Sequence, residues 1–259
     1  MLRTMDNEKI LACEVGYYKC FSEMAEAEDY IRFRDDLLPD MYSHNYTLIK
    51  GADSDDELRG IIEGEIYHRK GMGYCNIVSY AEVSKELLQT FVHKPEITVN
   101  GFYLLENGGS SVLRPKDGCS IYKVSNDAML SDVLRMDIEH DGEEIGVDFC
   151  KKRIARRKND YLSPEGVDCY VCYDNGEAVG KCDLYLHNGV AKIEDFAVLP
   201  SKQRQGYGVA ILKAIIETAQ KNGISTIYLV TDEEDTVKDM YLKCGFRKIG
   251  ERTDLFFKL

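Results

Sequence analysis

No apolar run in this 259-residue chain approaches the roughly 20 residues that a membrane-spanning helix needs. Met1-Leu2-Arg3 leads into Asp6-Asn7-Glu8, where a secretory leader would carry its apolar stretch. A soluble cytoplasmic protein is expected. Clustered Lys and Arg are also lacking: 33 basic against 45 acidic side chains leave a net charge of −12. Nucleic acid and anionic membrane surfaces, which select basic clusters, are therefore not expected partners. The nine cysteines are odd in number and lack paired spacing, so they read as reduced core thiols and not as a disulfide framework. Cys169 and Cys172 form one Cys-x-x-Cys, but they fall in an expected strand, where residues three apart face opposite sides. With no second pair and no nearby histidine, no metal site is expected. The five histidines are scattered, and none pairs with a Ser or Cys as base and nucleophile; Cys244 reads as core.

What is present is enough for a real core: 44% of residues are hydrophobic, and the length suits two modest domains or one large one. The densest turn composition is Glu106-Asn107-Gly108-Gly109-Ser110-Ser111, followed by Pro115 and Gly118. It divides the chain into residues 1–115 and 118–259. Residues 1–117 hold 21 acidic and 13 basic side chains, and residues 118–259 hold 24 and 20. The acidic excess at the front serves solubility, or else forms an electrostatic funnel for an amine-bearing substrate. The front region has no repeat or low-complexity tract. Its pattern suggests an amphipathic helix near Glu23–Leu38, an acidic loop at Asp53–Glu57, a helical stretch near Ser79–Phe91 and a strand at Ile97–Leu105.

The order after residue 118 is sharper. A strand at Ser120–Val124 precedes helices near Met129–Asp137 and Gly146–Arg157, then strands near Val167–Tyr173, Glu177–His187 and Ala191–Leu199. Asp174-Asn175-Gly176 and His187-Asn188-Gly189 supply the turns of two consecutive hairpins. A long helix, a strand at Ile227–Val230, a short helix and strands at Phe246–Gly250 and Leu255–Leu259 complete a mixed α/β sheet.

One junction in this half carries chemistry. The apolar run from Ile193 to Leu199 reads as a buried strand ended by Pro200, which lacks the next ladder donor. From Gly208, residues Val209, Leu212, Ile215, Ile216 and Ala219 share one helical face, and Gly223 stops the helix. The first N–H groups of that helix have no intrahelical acceptor, and the helix dipole adds partial positive charge. Glycines at 206 and 208 admit an anion close to that backbone. By itself, a Gly-x-Gly is also read as a tight structural turn.

The whole segment resembles the GNAT superfamily of N-acetyltransferases. That family's phosphate loop reads Gln or Arg, two residues, Gly, one residue, then Gly or Ala; Gln203, Gly206 and Gly208 meet it, directly after the Phe196-Ala197-Val198 strand. A second family block follows as Tyr241-Leu242-Lys243-Cys244-Gly245-Phe246. The resemblance covers roughly residues 118–259. It implies the acyl-CoA N-acyltransferase fold, a mixed, mostly antiparallel sheet flanked by helices. The front region is then an additional α/β domain, either a degenerate half of the same fold or an unrelated cap.

The resemblance further implies acetyl-CoA as co-substrate, with backbone N–H groups of Arg204, Gln205, Gly206, Tyr207, Gly208 and Val209 cradling the pyrophosphate. The Lys202 or Arg204 side chain is able to add charge. Phe196, Ala197 and Val198 would line the pantetheine arm, with the Val198 N–H holding the oxyanion. Tyr241 is the implied general acid for the departing thiolate. An alkyl amine with a pKa near 10 must lose a proton before it attacks. Glu194, on the same side of the pleat as Phe196, is the candidate base, or else a structural or substrate-orienting carboxylate; Asp195 points the other way. The family often places an Asn where Glu234 stands, and Asp232–Asp235 read instead as an N-cap cluster for the Tyr241 helix. The expected activity is acetyl transfer to a primary amine of a small molecule or peptide by direct attack in a ternary complex, with a homodimer as the expected assembly. The alternative is an acyl-CoA-binding sensor or scaffold without efficient chemistry.

Overall fold

A computed structural model describes residues 5–106 and 112–259, so most of the turn-rich Glu106–Ser111 segment lies outside the described residues. The front region begins with helix α1 (Met5–Lys19) and strands β1 (Glu23–Glu26), β2 (Tyr30–Arg34) and β3 (Thr47–Ile49). It continues through helix α2 (Asp55–His68), strand β4 (Tyr74–Ser79), helix α3 (Lys85–Thr90) and strand β5 (Glu96–Leu105). Next come β6 (Ser120–Lys123), α4 (Asp127–Ile145), α5 (Val147–Tyr161), β7 (Asp168–Asp174), β8 (Glu177–His187) and β9 (Val190–Val198). The chain ends with α6 (Tyr207–Lys221), β10 (Thr226–Asp232), α7 (Lys238–Lys243) and β11 (Phe246–Lys258).

Three sequence expectations change here. Glu23–Leu38 forms a β-hairpin where a helix was expected, with Glu23 opposite Arg34 and Glu26 opposite Ile31. Ile31 and Phe33 are buried between the more exposed Tyr30, Arg32 and Arg34, a period of two that the helix-forming Glu, Met and Ala residues masked. Tertiary demand decides it, because Arg32 must reach the buried Glu65 carboxylate, with Nε at 3.0 Å from both oxygens. The stretch Ser79–Phe91 holds only a six-residue helix, which starts where Ser84 accepts a hydrogen bond from the Leu87 N–H at 3.0 Å. The two expected terminal strands are one, β11, which stays in register with both neighbours except for a shift between Lys248 and Gly250. Elsewhere the two asparagine turns adopt φ of 50° and 47° at Asn175 and Asn188, with glycine following each. Cys169 and Cys172 pack into clusters on opposite faces of the sheet.

All eleven strands form one sheet, ordered β1-β2-β3-β4-β11-β5-β10-β9-β8-β7-β6. Its mixed, mostly antiparallel pairing and flanking helices are the expected fold class. A strand–helix–strand unit occurs twice. β3 and β4 run parallel and are bridged by α2; β9 and β10 run parallel and are bridged by α6. Each unit then sends a final strand to the other: β5 pairs with β10, β11 pairs with β4, and the two final strands pair with each other at the centre. α1, α4 and α5 cover one face with an apolar cluster that includes Tyr17, Val133 and Ile154, and α6 covers the other through Ile211, Leu212 and Ile215. No helix among the described residues is long and apolar enough to cross a membrane.

Candidate active site

The site starts from a local fault in β9. Lys181 of β8 lies opposite Ala197 and Asp183 lies opposite Glu194, so β9 spends one residue more than β8 over that interval. The extra residue bulges at Asp195, which takes a left-handed φ of 48°. Aspartate tolerates that conformation better than most residues, and its carboxylate is clamped by Lys181 Nζ at 2.5 Å and Arg157 at 2.8 Å. Burial alone would raise the Asp195 pKa, but Lys181, Arg157 and Arg153 overcome it and hold the carboxyl well below its usual range.

The bulge opens the sheet. β9 and β10 pair from Val190 and Thr226 up to Ile193 and Leu229, and beyond that point both strands continue without pairing to each other. Leu199 donates its N–H to the Val179 carbonyl of β8 at 3.0 Å, so its neighbour Val198 turns its backbone groups to the opposite edge. The Gln203 side chain confirms that edge by donating to the Val198 carbonyl at 3.3 Å. The Val198 N–H therefore points into the gap between the strands.

At the end of β9, Pro200 begins a short 3-10 turn, and Gly206 serves as N-cap of α6 with a φ of 89° and no side chain to satisfy the helix. The first intrahelical donor is Ala210, to Gly206 at 3.0 Å, which leaves the N–H groups of Tyr207, Gly208 and Val209 for an outside acceptor. A Cβ on Gly206 would lie 2.8 Å from the Lys116 nitrogen, because the linker packs against this turn. α2, the counterpart of α6 in the front region, is closed off: Ser54 caps it, and Asp55, Asp56 and Glu57 fill its first turn. Only α6 offers an anion an open end of the two.

The gap and the helix end share one cleft of about 710 Å³. Its walls include Glu194, Phe196, Ala197, Val198, Gln203, Arg204, Gly206, Gly208, Val209 and Tyr241. Two residues singled out from sequence are absent from those walls. Gln205 is exposed and donates to the Ser201 carbonyl, and Tyr207 is buried with its hydroxyl donating to Asp174 at 2.5 Å. Lys202 reaches the wall but pairs with Glu177 at 2.8 Å. Tyr241 is 5% exposed and meets the Phe196 ring edge-on at 6.1 Å. Burial pushes its phenol pKa far above the ordinary value, so it stays protonated across the physiological range. Glu194 is partly exposed and pairs through Oε2 with the buried Lys192 at 2.8 Å.

Tertiary structure adds residues that no local pattern marks. Arg114 comes from the linker, Lys243 from α7 and His140 from α4. Four cations, Arg114, Lys202, Arg204 and Lys243, thus meet at one cleft of an acidic chain. His140 is raised in pKa by its hydrogen bond to Asp141. Asp232 and Asp235 do cap, but not α7 itself: they accept from the N–H groups of Glu234 and Val237 in the turn before the helix, whose own N-cap is Val237. Glu234 is exposed and lies outside the cleft wall. Among the described residues, no group of three His, Cys, Asp or Glu is placed to hold a metal ion.

Below the bulge, Asp183 is fully buried and accepts from Tyr17 and Tyr161 at 3.1 Å each. Burial, then the nearby Asp195 charge, raises its pKa to about 7. A carboxyl whose folded pKa exceeds its unfolded value of about 3.9 releases its proton from the unfolded state first. Stability therefore falls as pH rises from about 4 through 7. Asp183→Asn should remove that slope: its melting temperature should exceed that of the parent by several degrees at pH 8, with the gap closing near pH 5. Thermal melts over this range check it, and an unchanged slope would contradict the assignment.

The chain is similar to several known proteins. A family model described as the acetyltransferase (GNAT) family matches residues 135–246. The "uncharacterized N-acetyltransferase CgeE" of Bacillus subtilis (strain 168) is 25% identical over 256 residues, covering 91% of this chain and 92% of that protein. Among solved structures, a conserved protein of unknown function from Staphylococcus epidermidis superposes with a TM-score of 0.74 at 20% identity, covering 92% of this chain and 94% of that one. A GCN5-related N-acetyltransferase from Kribbella flavida gives 0.71 at 13% identity, covering 96% and 94%. These two likenesses show that the fold extends over nearly the whole chain, front region included.

Proposed function

We propose a reaction for a chain that belongs to the GNAT superfamily and is an N-acetyltransferase, in a family that uses acetyl-CoA. The acceptor is a primary amine that attacks directly in a ternary complex. The observation that carries this reading is the convergence on one cleft of an uncapped helix start, an unpaired strand edge and a protonated phenol.

In this reading the pyrophosphate lies on the N–H groups from Arg204 to Val209, with the Arg114 and Arg204 side chains adding charge. The pantetheine runs along the free edge of Phe196–Val198, in place of the strand that β10 would have supplied. The acceptor's ammonium first gives a proton to Glu194, directly or through water, and the neutral nitrogen then attacks the thioester carbonyl carbon. The new C–N bond forms while the carbonyl oxygen becomes an oxyanion, held by the Val198 N–H. Collapse breaks the C–S bond and Tyr241 protonates the leaving thiolate, while the second proton shed by the nitrogen returns through water to the phenol. The front region is proposed as a second, degenerate unit of the same fold, whose helix α2 spends its own acidic residues and Ser54 on the anion position.

Gly206→Ala tests the cofactor arm. The added Cβ meets the linker backbone at 2.8 Å and forces φ out of the left-handed region, so the helix start must shift. Calorimetry should show coenzyme A binding weakened at least roughly tenfold, about 1.4 kcal/mol or more, while the fold survives. A panel of small amines, polyamines, amino acids and peptides, assayed for thiol release, tests the acceptor arm. Binding of acetyl-CoA with no turnover on any primary amine would overturn the reaction proposed.

A further inference from the structure

Behind Glu194 lies a buried chain of alternating charge that crosses from one half of the molecule to the other. Lys192, two residues earlier on β9 and 0% exposed, places its ammonium at 2.8 Å from Glu194 and within hydrogen-bond reach of Glu14 of α1. Glu14, 2% exposed, also accepts from the Tyr228 hydroxyl at 2.7 Å and from Arg252 at 3.1 Å. Arg252 in turn pairs with Asp254 at 3.2 Å. The Lys192 ammonium sits over the rings of Tyr17 and Tyr18 at 5.0 and 4.9 Å, so aromatic faces hold it where water is excluded.

We infer that Glu14, contributed by the N-terminal helix, is a positioning residue that acts on Glu194 by holding Lys192 and sharing it with that carboxylate. The inference rests on the reading of Glu194 as the base. An ammonium divided between two carboxylates stabilises each anion less than one devoted to a single partner. Glu14 thereby draws part of the Lys192 charge away from Glu194, and the front half becomes a working part of the active site. Glu14 does not touch the cleft; it acts only through Lys192.

The groups facing this pair are few. Besides those named, α1 presents Cys13, β10 presents Tyr228, the segment after β4 presents Tyr80, α7 presents Tyr241, and β8 presents Cys182 and, directly across from Glu194, Asp183. The tyrosines, Cys13 and Cys182 are all raised in pKa by burial and stay neutral through the working range. Asp183, at about 7, and His140 on the wall of the same cleft, raised by Asp141, titrate near neutrality, and Asp183→Asn and His140→Gln serve as their controls.

The test is the acidic limb of the pH profile of kcat/KM, measured on full-length protein with the best amine of the panel. Glu14→Gln should move that limb down by about one pH unit and lower the plateau, because Lys192 then bears wholly on Glu194. Lys192→Gln should move it up by a similar amount. Both variants leave the remaining charges partnered: Lys192 keeps Glu194, and Glu14 keeps Arg252 and Tyr228. Glu14→Asp should restore the limb towards its original position. A purely structural role would lower activity or melting temperature without opposite shifts. If Glu194→Gln abolishes the limb while Glu14→Gln and Lys192→Gln leave it in place, the coupling is wrong and the base stands. A limb that survives Glu194→Gln, or disappears in Asp183→Asn, overturns the base and the coupling with it. Coenzyme A binding by each variant, unchanged within a few fold, verifies that it is folded; if Glu14→Gln does not fold, opposite displacements in Glu14→Asp and Lys192→Gln decide the matter, and their absence overturns the proposal.

Discussion

Tyr241→Phe will lower kcat by about 10²- to 10⁴-fold, the range typical of a lost general acid, while coenzyme A affinity stays within a few fold. The substitution removes a single oxygen. The ring keeps its edge-on contacts with Phe196 at 6.1 Å and Phe246 at 6.2 Å, so packing and the shape of the cleft are preserved. In the proposed reaction, what is lost is a proton donor for the thiolate, an interaction that would exist only as the C–S bond breaks. Such a change lowers kcat and kcat/KM together. The raised phenol pKa adds a sign. Because burial keeps Tyr241 protonated well beyond its ordinary value, the parent enzyme should show no alkaline loss of rate from this group below about pH 10. Steady-state rates and single-turnover acetylation from pH 6 to 10 check both statements. A variant that retains its rate at every pH would remove Tyr241 from the mechanism.

Residues 118–259 produced alone will not fold cooperatively. Strand β5, from the front region, fills the slot between β10 and β11, pairing from Asn100 to Leu104 with β10 and from Glu96 to Leu105 with β11. Without it, two strand edges are left open at the centre of the sheet, a template for aggregation. α1 goes with it, and so do the fully buried Ile10, Cys13 and Phe21, which strips the cover from β8 and β9. Uncovering a buried apolar side chain costs about 1.5–3 kcal/mol, so exposing several on β8 and β9 costs an amount comparable to the 5–15 kcal/mol that stabilises a typical protein. Circular dichroism should show no sharp thermal transition, and the fragment should aggregate on size exclusion. Adding residues 1–117 in trans should restore both a transition and coenzyme A binding. A monomeric fragment with a sharp melt would show that the exchanged strand is dispensable.

Much of the C-terminal half was legible because its signals are local. The Asn175-Gly176 and Asn188-Gly189 turns need left-handed backbone, and that requirement is written in adjacent residues. The helix after Gly208 repeats its apolar positions every three or four residues, and Gly223 ends it with a φ of 76°. Glu194, Phe196–Val198, Gly206 and Tyr241 could be named because they fall on or beside the short motifs of the family that the chain resembles. The front region gave weaker signals. In Glu23–Leu38, residues with good helix propensity sit in strands, since β1 and β2 are only four and five residues long and draw their order from β3 and Glu65. Arg114, His140 and the Glu14–Lys192 pair had no pattern to find: their partners lie far along the chain, 178 residues apart in the last case.

By itself, the sequence determined the glycine turn and the strand that precedes it, because backbone conformation and helix periodicity depend on neighbours a few residues away; the phenol that follows was marked by the family resemblance. Only the tertiary structure decided that β9 parts from β10 at the Asp195 bulge, that the final strands of the two halves change places, and that a carboxylate from the first helix stands behind the candidate base. The reason is physical. Strand exchange and buried ion pairs gain their free energy from contacts between distant segments, whose desolvation and pairing are settled when the whole sheet closes and which leave no imprint on local composition.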